Sequence, residues 1–553
     1  MITILIGHRG AGKTSLLRRI QSYVPHATTV DLDEVIEKAE GPINDIFSRQ
    51  GEKKFRELEK KYFEQILASE KQKPLYISIG AGFEGDFPQD VRVLWVRRET
   101  DKYGHIIPGR PRLNPQASEL ATYRERFLSR EDRYRSESHE ILTIPEGFNR
   151  PNNEEKNFFS HQLKNVGGMI TILPNQKLDQ QWLNDRLQFG IDAFELRDDL
   201  LTSEQKEWLL KHVPEGKLHF PESVHDLHHR DEGETLSDVL AHLEATNNAK
   251  KPLKLAVKIH SFQELLEGDE WMQKDPHNRS FLPRSDDGRW QWYRLLRYQM
   301  KLNFIREDEW SALDQPLLLD WVRRPPHAKI FAAVLGDPVA HSFTPAEHSE
   351  FFASKEIPVF RIRMTENDWK SGALDILQKF GLRYAAVTSP LKYKAAMLCR
   401  GARPCAPTFS SINTIMWNDV TQEWLGINTD YLGFEVLISD IRDKKNIVVW
   451  GGGSLLPMLQ HFLPDASFYS SRTGKLKQGT HLEKPDVILW ATGHEGSHPP
   501  LSWKPKHVVD LHYHDFSPGL DYAERIGAAY ISGMTMFQKQ AEGQREFWRE
   551  YAR

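Results

Sequence analysis

The chain has 553 residues, 39% of them apolar and 27% charged, with a formal net charge of -4. That balance offers no basic footprint for nucleic acid, and its apolar runs fall short of the ~20 residues of a membrane span. Two cysteines, Cys399 and Cys405, give no disulfide framework and fit a reducing, cytoplasmic setting.

At ~150 residues per domain the length calls for roughly three or four domains. Strand-like runs alternate with helix-periodic stretches, the pattern of an α/β multidomain chain. The opening MITILI lacks a basic flank and reads as a buried strand rather than a signal peptide. It runs into GHRGAGKT at 7–14, a phosphate loop in the strand-then-helix setting that the motif demands. Gly7, Gly10 and Gly12 let backbone amides approach phosphate oxygens, Lys13 reaches the terminal phosphates of ATP with Ser15 beside them, and the Thr14 hydroxyl suits Mg²⁺. Asp31 and Asp33, two apart at an expected strand end, project to one side; Asp31 can hold Mg²⁺ and Asp33 can receive a substrate hydroxyl. In GEKKFRELE, 51–59, Arg56 can clamp a carboxylate bidentately.

The phosphate loop, D-x-D and G-E-x-x-F-R-x-x-E, in that order, resemble shikimate kinase. The resemblance implies that Asp33 and Arg56 hold shikimate and that Gly80 and Gly82 stand in a glycine triplet whose centre is here Ala81. It also implies that Arg110 is the nucleotide lid arginine, with Arg112 replacing an apolar neighbour. Arg130 would be a second substrate arginine, without the usual proline between it and Tyr134.

PEGFNRPNNEEKN at 145–157 has turn formers and no apolar period, so it reads as a linker, and RRPPH at 323–327 marks a second boundary. Between them, IDAFELRDDL, SVHDL and LKLAVKIHSF resemble type I 3-dehydroquinate dehydratase. A lysine in an apolar strand loses basicity by desolvation and can attack a ketone, and a nearby histidine can take the α-proton. The resemblance gives these roles to Lys254 and His225, and substrate contacts to Glu195, Arg197, Arg294 and Gln315. A full barrel takes ~250 residues, so the roughly 160 here suggest about five of eight units and weak or absent turnover. His225, His228 and His229 lack metal-ligand spacing.

From Ala332 onward come AAVLGDPVAHSFTPAEHSEFF, AVTSPLK ending at Lys392, SSINT with Asn413, and GINTDYLGF with Asp430. Ketone reduction needs a hydride and a proton, and a lysine beside an aspartate is a positioned proton donor. The four ordered motifs resemble shikimate dehydrogenase, which implies catalysis by Lys392 and Asp430. It also implies substrate contacts from Ser342, Thr344, Thr388, Asn413 and Gln540, with Ala386 and Ser349 standing where the family has asparagine. NIVVWGGGS is a strand meeting a glycine turn, with Gly451 and Gly453 toward pyrophosphate. Arg472, between Ser471 and Thr473, falls 21 residues after Gly451, where an arginine reads the 2′-phosphate of NADP(H).

The expected organisation is a kinase-like part at 1–150, a shortened (β/α) barrel-like part at 165–325, and a dehydrogenase-like part at 328–553 with its NADP-binding region at about 435–525. In this order the parts resemble the C-terminal portion of the pentafunctional arom polypeptide. That implies the small-molecule substrates 3-dehydroquinate, 3-dehydroshikimate and shikimate, no nucleic acid or membrane partner, and room for oligomerisation. The rival is a non-catalytic regulator resembling the fungal quinate-pathway repressor. Retention of Lys13, Asp33, Arg56, Lys392 and Asp430 argues for the enzyme.

Overall fold

The computed structural model describes the chain except residues 1, 15, 18–19, 21–26, 70–73, 99–118, 145–166, 173, 175–177, 189, 307–311, 318–319, 322–323, 325–327, 341, 354, 400–409, 440, 442–443, 493–496, 514–516 and 552–553. The expected roles of Ser15, Arg110 and Arg112, and the 145–157 linker, lie outside the described residues. Two compact units emerge, Met1–Pro326 and His327–Arg553.

The first unit opens with five parallel strands, β1 (Ile2–Ile6), β2 (Thr28–Asp31), β3 (Leu75–Ser78), β4 (Val91–Arg98) and β5 (Glu140–Ile144), in the order β2-β3-β1-β4-β5. The central strand β1 is covered on both faces, so Ile4, Leu5 and Ile6 are all buried and its sequence is continuously apolar. The stretch Ile43–Ser69 is two helices meeting at Gly51, whose φ of 79° favours glycine. The second of them carries Arg56 and Glu59 one turn apart. Asp31 and Asp33 do not alternate along one strand as expected. β2 ends at Asp31, which caps the helix Leu32–Glu40 by accepting from the Asp33 amide (3.1 Å).

Among the described residues seven short parallel strands follow: β6 (Met169–Thr171), β7 (Ala193–Glu195), β8 (Leu218–His219), β9 (His225–Leu227), β10 (Leu253–Leu255), β11 (Arg279–Phe281) and β12 (Phe304–Ile305). Their ladders run β12-β6-β7-β8 and β9-β10-β11, chain order with the last strand beside the first, as in a barrel wall. Seven strands fit where about five were expected because each has only two or three residues. One helical crossover is replaced, since β8 reaches β9 through the short turn Pro221–Ser223. Met169, Ala193, Val224, Ala256, Leu282, Leu302 and Phe304 form a common buried cluster. Capping boxes at Thr202 with Gln205 and Thr235 with Asp238 start two of the outer helices.

The second unit has two sheets. β13 (Phe331–Gly336), β14 (Val359–Arg363), β15 (Leu382–Val387), β16 (Thr414–Asn418) and β17 (Glu423–Ile427) are ordered β14-β13-β15-β16-β17, with antiparallel pairing at β15-β16 and β16-β17. β18 (Ile447–Gly451), β19 (Ser467–Tyr469), β20 (Leu476–Gln478), β21 (Val487–Ala491), β22 (His507–Asp510) and β23 (Ala529–Ile531) are ordered β20-β19-β18-β21-β22-β23, a doubly wound sheet with its switch point beside β18. The helix Asp430–Leu437 packs on the C-terminal helix Met534–Tyr551 at close range. A Cβ on Gly433 would stand 2.3 Å from the Met536 carbonyl oxygen, and one on Gly543 would stand 2.7 Å from Leu432 Cδ1. Among the described residues no helix is long and apolar enough to cross a membrane.

Candidate active sites

The phosphate loop follows β1, and Gly7, Gly10 and Gly12 take φ values of 145°, 79° and 98°. A Cβ at Gly7 would lie 2.2 Å from the Val96 carbonyl oxygen, so the turn admits only glycine. Lys13 Nζ donates to the carbonyls of Gly7 (2.8 Å) and His8 (3.1 Å), and Thr14 Oγ1 donates to Asp31 Oδ2 (2.6 Å). Hydroxyl and carboxylate oxygens so paired suit a hard divalent cation.

Across from the loop, side chains converge over two glycines. A Cβ at Gly80 would lie 2.2 Å from Glu59 Oε1 and 3.3 Å from Asp33 Oδ1. One at Gly82 would lie 2.2 Å from Arg56 Nη2 and 2.9 Å from Arg130 Nη2. The expected Asp33, Arg56 and Arg130 are thus neighbours, and Tyr134 OH reaches the carbonyls of both Ala81 and Gly7. Arg56 donates to Glu59 Oε2 (2.5 Å) and Glu52 Oε1 (2.7 Å). Glu59 is 1% exposed; burial outweighs Arg56 and pushes its carboxyl up to about 7. His8, stacked on Phe127, is held down to about 3 by burial and then by Lys13 and Arg130. Glu59 closes the F-R-x-x-E string, and its spacing from Arg56 was the available signal for a site role.

In the seven-strand region Lys254 faces Asp226, not His225. Register pairs Lys254 with Asp226, and residues paired across a parallel ladder share a face, so His225 turns to the opposite side. There it lies 2.9 Å from Thr246 Oγ1. The expected lysine and histidine pair is therefore not formed. Lys254 Nζ lies 3.0 Å from Asp226 Oδ2, and His228 Nε2 lies 2.7 Å from the same oxygen. Burial opposes the Asp226 charge, but these hydrogen bonds outweigh it and hold the carboxyl below its ordinary range. Glu195, pushed up by burial, accepts from Thr171 Oγ1 (2.9 Å). Arg294 is buried and donates to Asn303 Oδ1 (3.1 Å) and the Phe304 carbonyl (3.2 Å). Arg197 is paired bidentately with Asp199, and at Gln315 the backbone carbonyl accepts from Arg306 Nε (2.9 Å).

In the second unit Lys392 begins the helix Lys392–Leu398, and its Nζ donates to Asp430 Oδ2 (2.6 Å). Asp430 opens its own helix, where the dipole favours an anion. Asn413 Nδ2 donates to Asp430 Oδ1 (2.8 Å), while Asn413 Oδ1 accepts from the Thr429 amide (2.8 Å). Behind it, Gln544 Nε2 donates to the Asn413 carbonyl (3.3 Å), and Gln544 Oε1 lies 2.8 Å from His348 Nε2. Sequence reasoning did not mark Gln544 or Thr429. Ser342 Oγ donates to Thr344 Oγ1 (3.0 Å), and Thr388 packs so closely on Gly336 that a Cβ there would meet its Cγ2 at 2.4 Å. Gln540 is half-buried on the C-terminal helix. Gly451 ends β18 and Gly452 and Gly453 follow it, with φ of 102°, 115° and 47°. A Cβ at Gly451 would lie 2.7 Å from the Ala491 carbonyl oxygen. Past the end of β19, Ser471 is half-buried while Arg472 and Thr473 are exposed.

Residues 9–143 match the shikimate kinase family model, and residues 334–415 match that of the shikimate dehydrogenase substrate binding domain. The NADP(+) shikimate dehydrogenase of Syntrophobacter fumaroxidans is 25% identical over 248 residues, covering 39% of this chain and 86% of that protein. That of Alcanivorax borkumensis is 33% identical over 128 residues, covering 22% of this chain and 44% of that protein. Shikimate 5-dehydrogenase of Thermus thermophilus, solved with NADP(H) and shikimate, aligns with 40% of this chain and 94% of its own at 23% identity and a TM-score of 0.35. The two ends of this α/β chain thus match enzyme domains, a kinase in the first unit and a dehydrogenase in the second.

Proposed function

We propose that the chain joins two consecutive steps on one ring acid. The 328–553 part reduces 3-dehydroshikimate to shikimate with NADPH, and the 1–150 part moves the γ-phosphoryl group of ATP onto a shikimate hydroxyl. The observation that carries this reading is the Lys392, Asp430 and Asn413 constellation, in which an ammonium is aimed by a carboxylate that is itself aimed by a buried amide.

NADPH supplies the hydride. Lys392 Nζ gives its proton to the carbonyl oxygen as the new hydroxyl forms, and Asp430 orients that ammonium. The Ser342 and Thr344 hydroxyls supply donors for the ring carboxylate. Glycines at positive φ, together with the exposed Arg472 guanidinium, suit a pyrophosphate and a 2′-phosphate. In the kinase part Arg56 and Arg130 hold the carboxylate, Asp33 receives the hydroxyl proton, and Lys13 neutralises phosphate charge. Thr14 and Asp31 would hold Mg²⁺, which screens the phosphate oxygens.

Purified chain given 3-dehydroshikimate, NADPH and Mg-ATP should yield shikimate and then shikimate 3-phosphate. Absence of the first product sinks the dehydrogenase reading, and failure to phosphorylate added shikimate sinks the kinase reading. Equal use of NADH and NADPH removes the role given to Arg472. Nothing in the geometry favours the non-catalytic regulator.

The 165–325 part keeps a buried lysine beside Glu195, but its amine is tied to Asp226 and its expected base is turned away. We infer weak or absent dehydration of 3-dehydroquinate. Borohydride in the presence of 3-dehydroquinate should leave Lys254 unlabelled; a labelled Lys254 peptide together with 3-dehydroshikimate would reverse this.

A further inference from the structure

The rim of the dinucleotide crevice carries an aspartate and histidine pair that the reading above leaves unused. β22 ends at Asp510, which is completely buried. Its carboxylate accepts from Ser517 Oγ, from Tyr530 OH (3.1 Å) and from the His512 amide (2.9 Å), and lies 3.0 Å from His512 Nδ1. A carboxylate can only accept, so Nδ1 carries a ring proton, and in the neutral ring Nε2 is the acceptor. The other contacts fix the carboxylate, and the carboxylate fixes the ring, whose side chain stays 30% exposed.

The position matters as much as the pair. In a doubly wound sheet, ligands bind beyond the carboxyl ends of the strands at the switch point. β22 ends one strand away from it, next to β21, with the Leu511 amide donating to the Trp490 carbonyl (2.9 Å). The His512 carbonyl accepts from the Gly533 amide (2.9 Å), just ahead of the helix that carries Gln540. The next residue, Tyr513, packs on Phe343 (5.6 Å between ring centroids) and Phe537 (4.5 Å). Phe343 lies between Ser342 and Thr344. His512 therefore stands where the cofactor crevice meets the hydroxyl pair.

We propose that His512 is a cofactor-binding residue: its Nε2, oriented by Asp510, accepts a hydrogen bond from an N–H or O–H donor on the nicotinamide half of NADP(H). The proposal rests on the dehydrogenase reading. Its test is direct titration of the full chain with NADPH, followed by nicotinamide fluorescence, alongside steady-state kinetics and thermal melting.

His512→Leu removes both ring nitrogens. His512→Asn offers Asp510 an amide donor but has nothing in place of Nε2. Loss of one such hydrogen bond corresponds to roughly a five- to tenfold weaker Kd. Both variants should weaken NADPH by that factor and raise its KM more than they lower kcat. If His512 only props Asp510, the asparagine variant will bind NADPH like the parent chain, and the proposal is wrong. Should the leucine variant melt early, the asparagine variant decides alone. A parent chain that does not bind NADPH overturns the dehydrogenase reading and this proposal together, whereas a parent that binds as well as both folded variants overturns the proposal alone.

Discussion

Two of the lysine and aspartate pairs among the described residues lie at candidate sites, Lys392 with Asp430 (2.6 Å) and Lys254 with Asp226 (3.0 Å), and they are equipped for different ends. Around the first, the carboxylate is the buried partner and the ammonium is the more open one, with side-chain exposures of 1% and 16%. Around the second the order is inverted, 30% for Asp226 and 5% for Lys254. A proton donor must reach its substrate while its orienting partner stays dry, and only the first arrangement meets that condition. Lys254 instead lies over the Phe304 ring, 5.3 Å from its centroid, with its charge tied to Asp226.

The sharpest way to break this contrast is to remove each ammonium in turn. Lys392→Met should lower kcat/KM for 3-dehydroshikimate by ~10²–10⁴, while Lys254→Met should leave ketone reduction and shikimate phosphorylation unchanged. Steady-state assays of both reactions on both variants decide it; loss of reduction in the Lys254 variant would erase the distinction. Next comes the support of the first pair. Asn413→Ala frees Asp430 from its amide donor and should cost roughly tenfold in kcat, with melting temperature recorded to separate misfolding from misaiming.

A third cation and carboxylate pair, Arg56 with Glu59, extends the comparison to pH. With its carboxyl at about 7 against an ordinary 4.5, Glu59 holds a proton in the folded chain that the unfolded chain has lost. Its contribution to stability therefore falls as pH rises from 4.5 to 7. Above 7 the new anion competes with substrate carboxylate for Arg56. The KM of the kinase for shikimate should accordingly rise between pH 6 and 8, and Glu59→Gln should flatten that rise. The last effect is on stability alone and belongs to His348, behind Gln544 and Asn413, whose burial holds it down to about 3 from 6.5. The unfolded chain takes up this proton first, so stability should fall as pH drops from 6.5 toward 3. Melting curves of His348→Gln should show a shallower slope over that range.

The same pairs show what the sequence made legible. Lys392, Asn413 and Asp430 were readable because each sits in an ordered string whose residue types match one reaction, and the distances bring them together. His225 was misplaced because strand faces alternate: a register shift of one residue exchanges His225 for Asp226, and no local string encodes that register. Seven strands escaped a length-based count because two or three residues leave no measurable period. Glu59 was quoted within a motif, yet its altered acidity comes from tertiary burial between the Gly80 turn and Arg56, which composition does not express.

The contact between the helices Asp430–Leu437 and Met534–Tyr551 links fold to rate in another way. Gly433 lies three residues beyond Asp430, and its missing Cβ lets the Met536 carbonyl approach to 2.3 Å of where that atom would be. A methyl group there must move one helix. The first carries Asp430, to which the proposed reaction gives the aiming of Lys392, and the second carries Gln540 together with the Gln544 that steadies Asn413. A substitution at Gly433 or Gly543 would thus register as a catalytic lesion although neither residue meets a reacting atom, and variants of this chain found by selection for activity should be scarce at both positions.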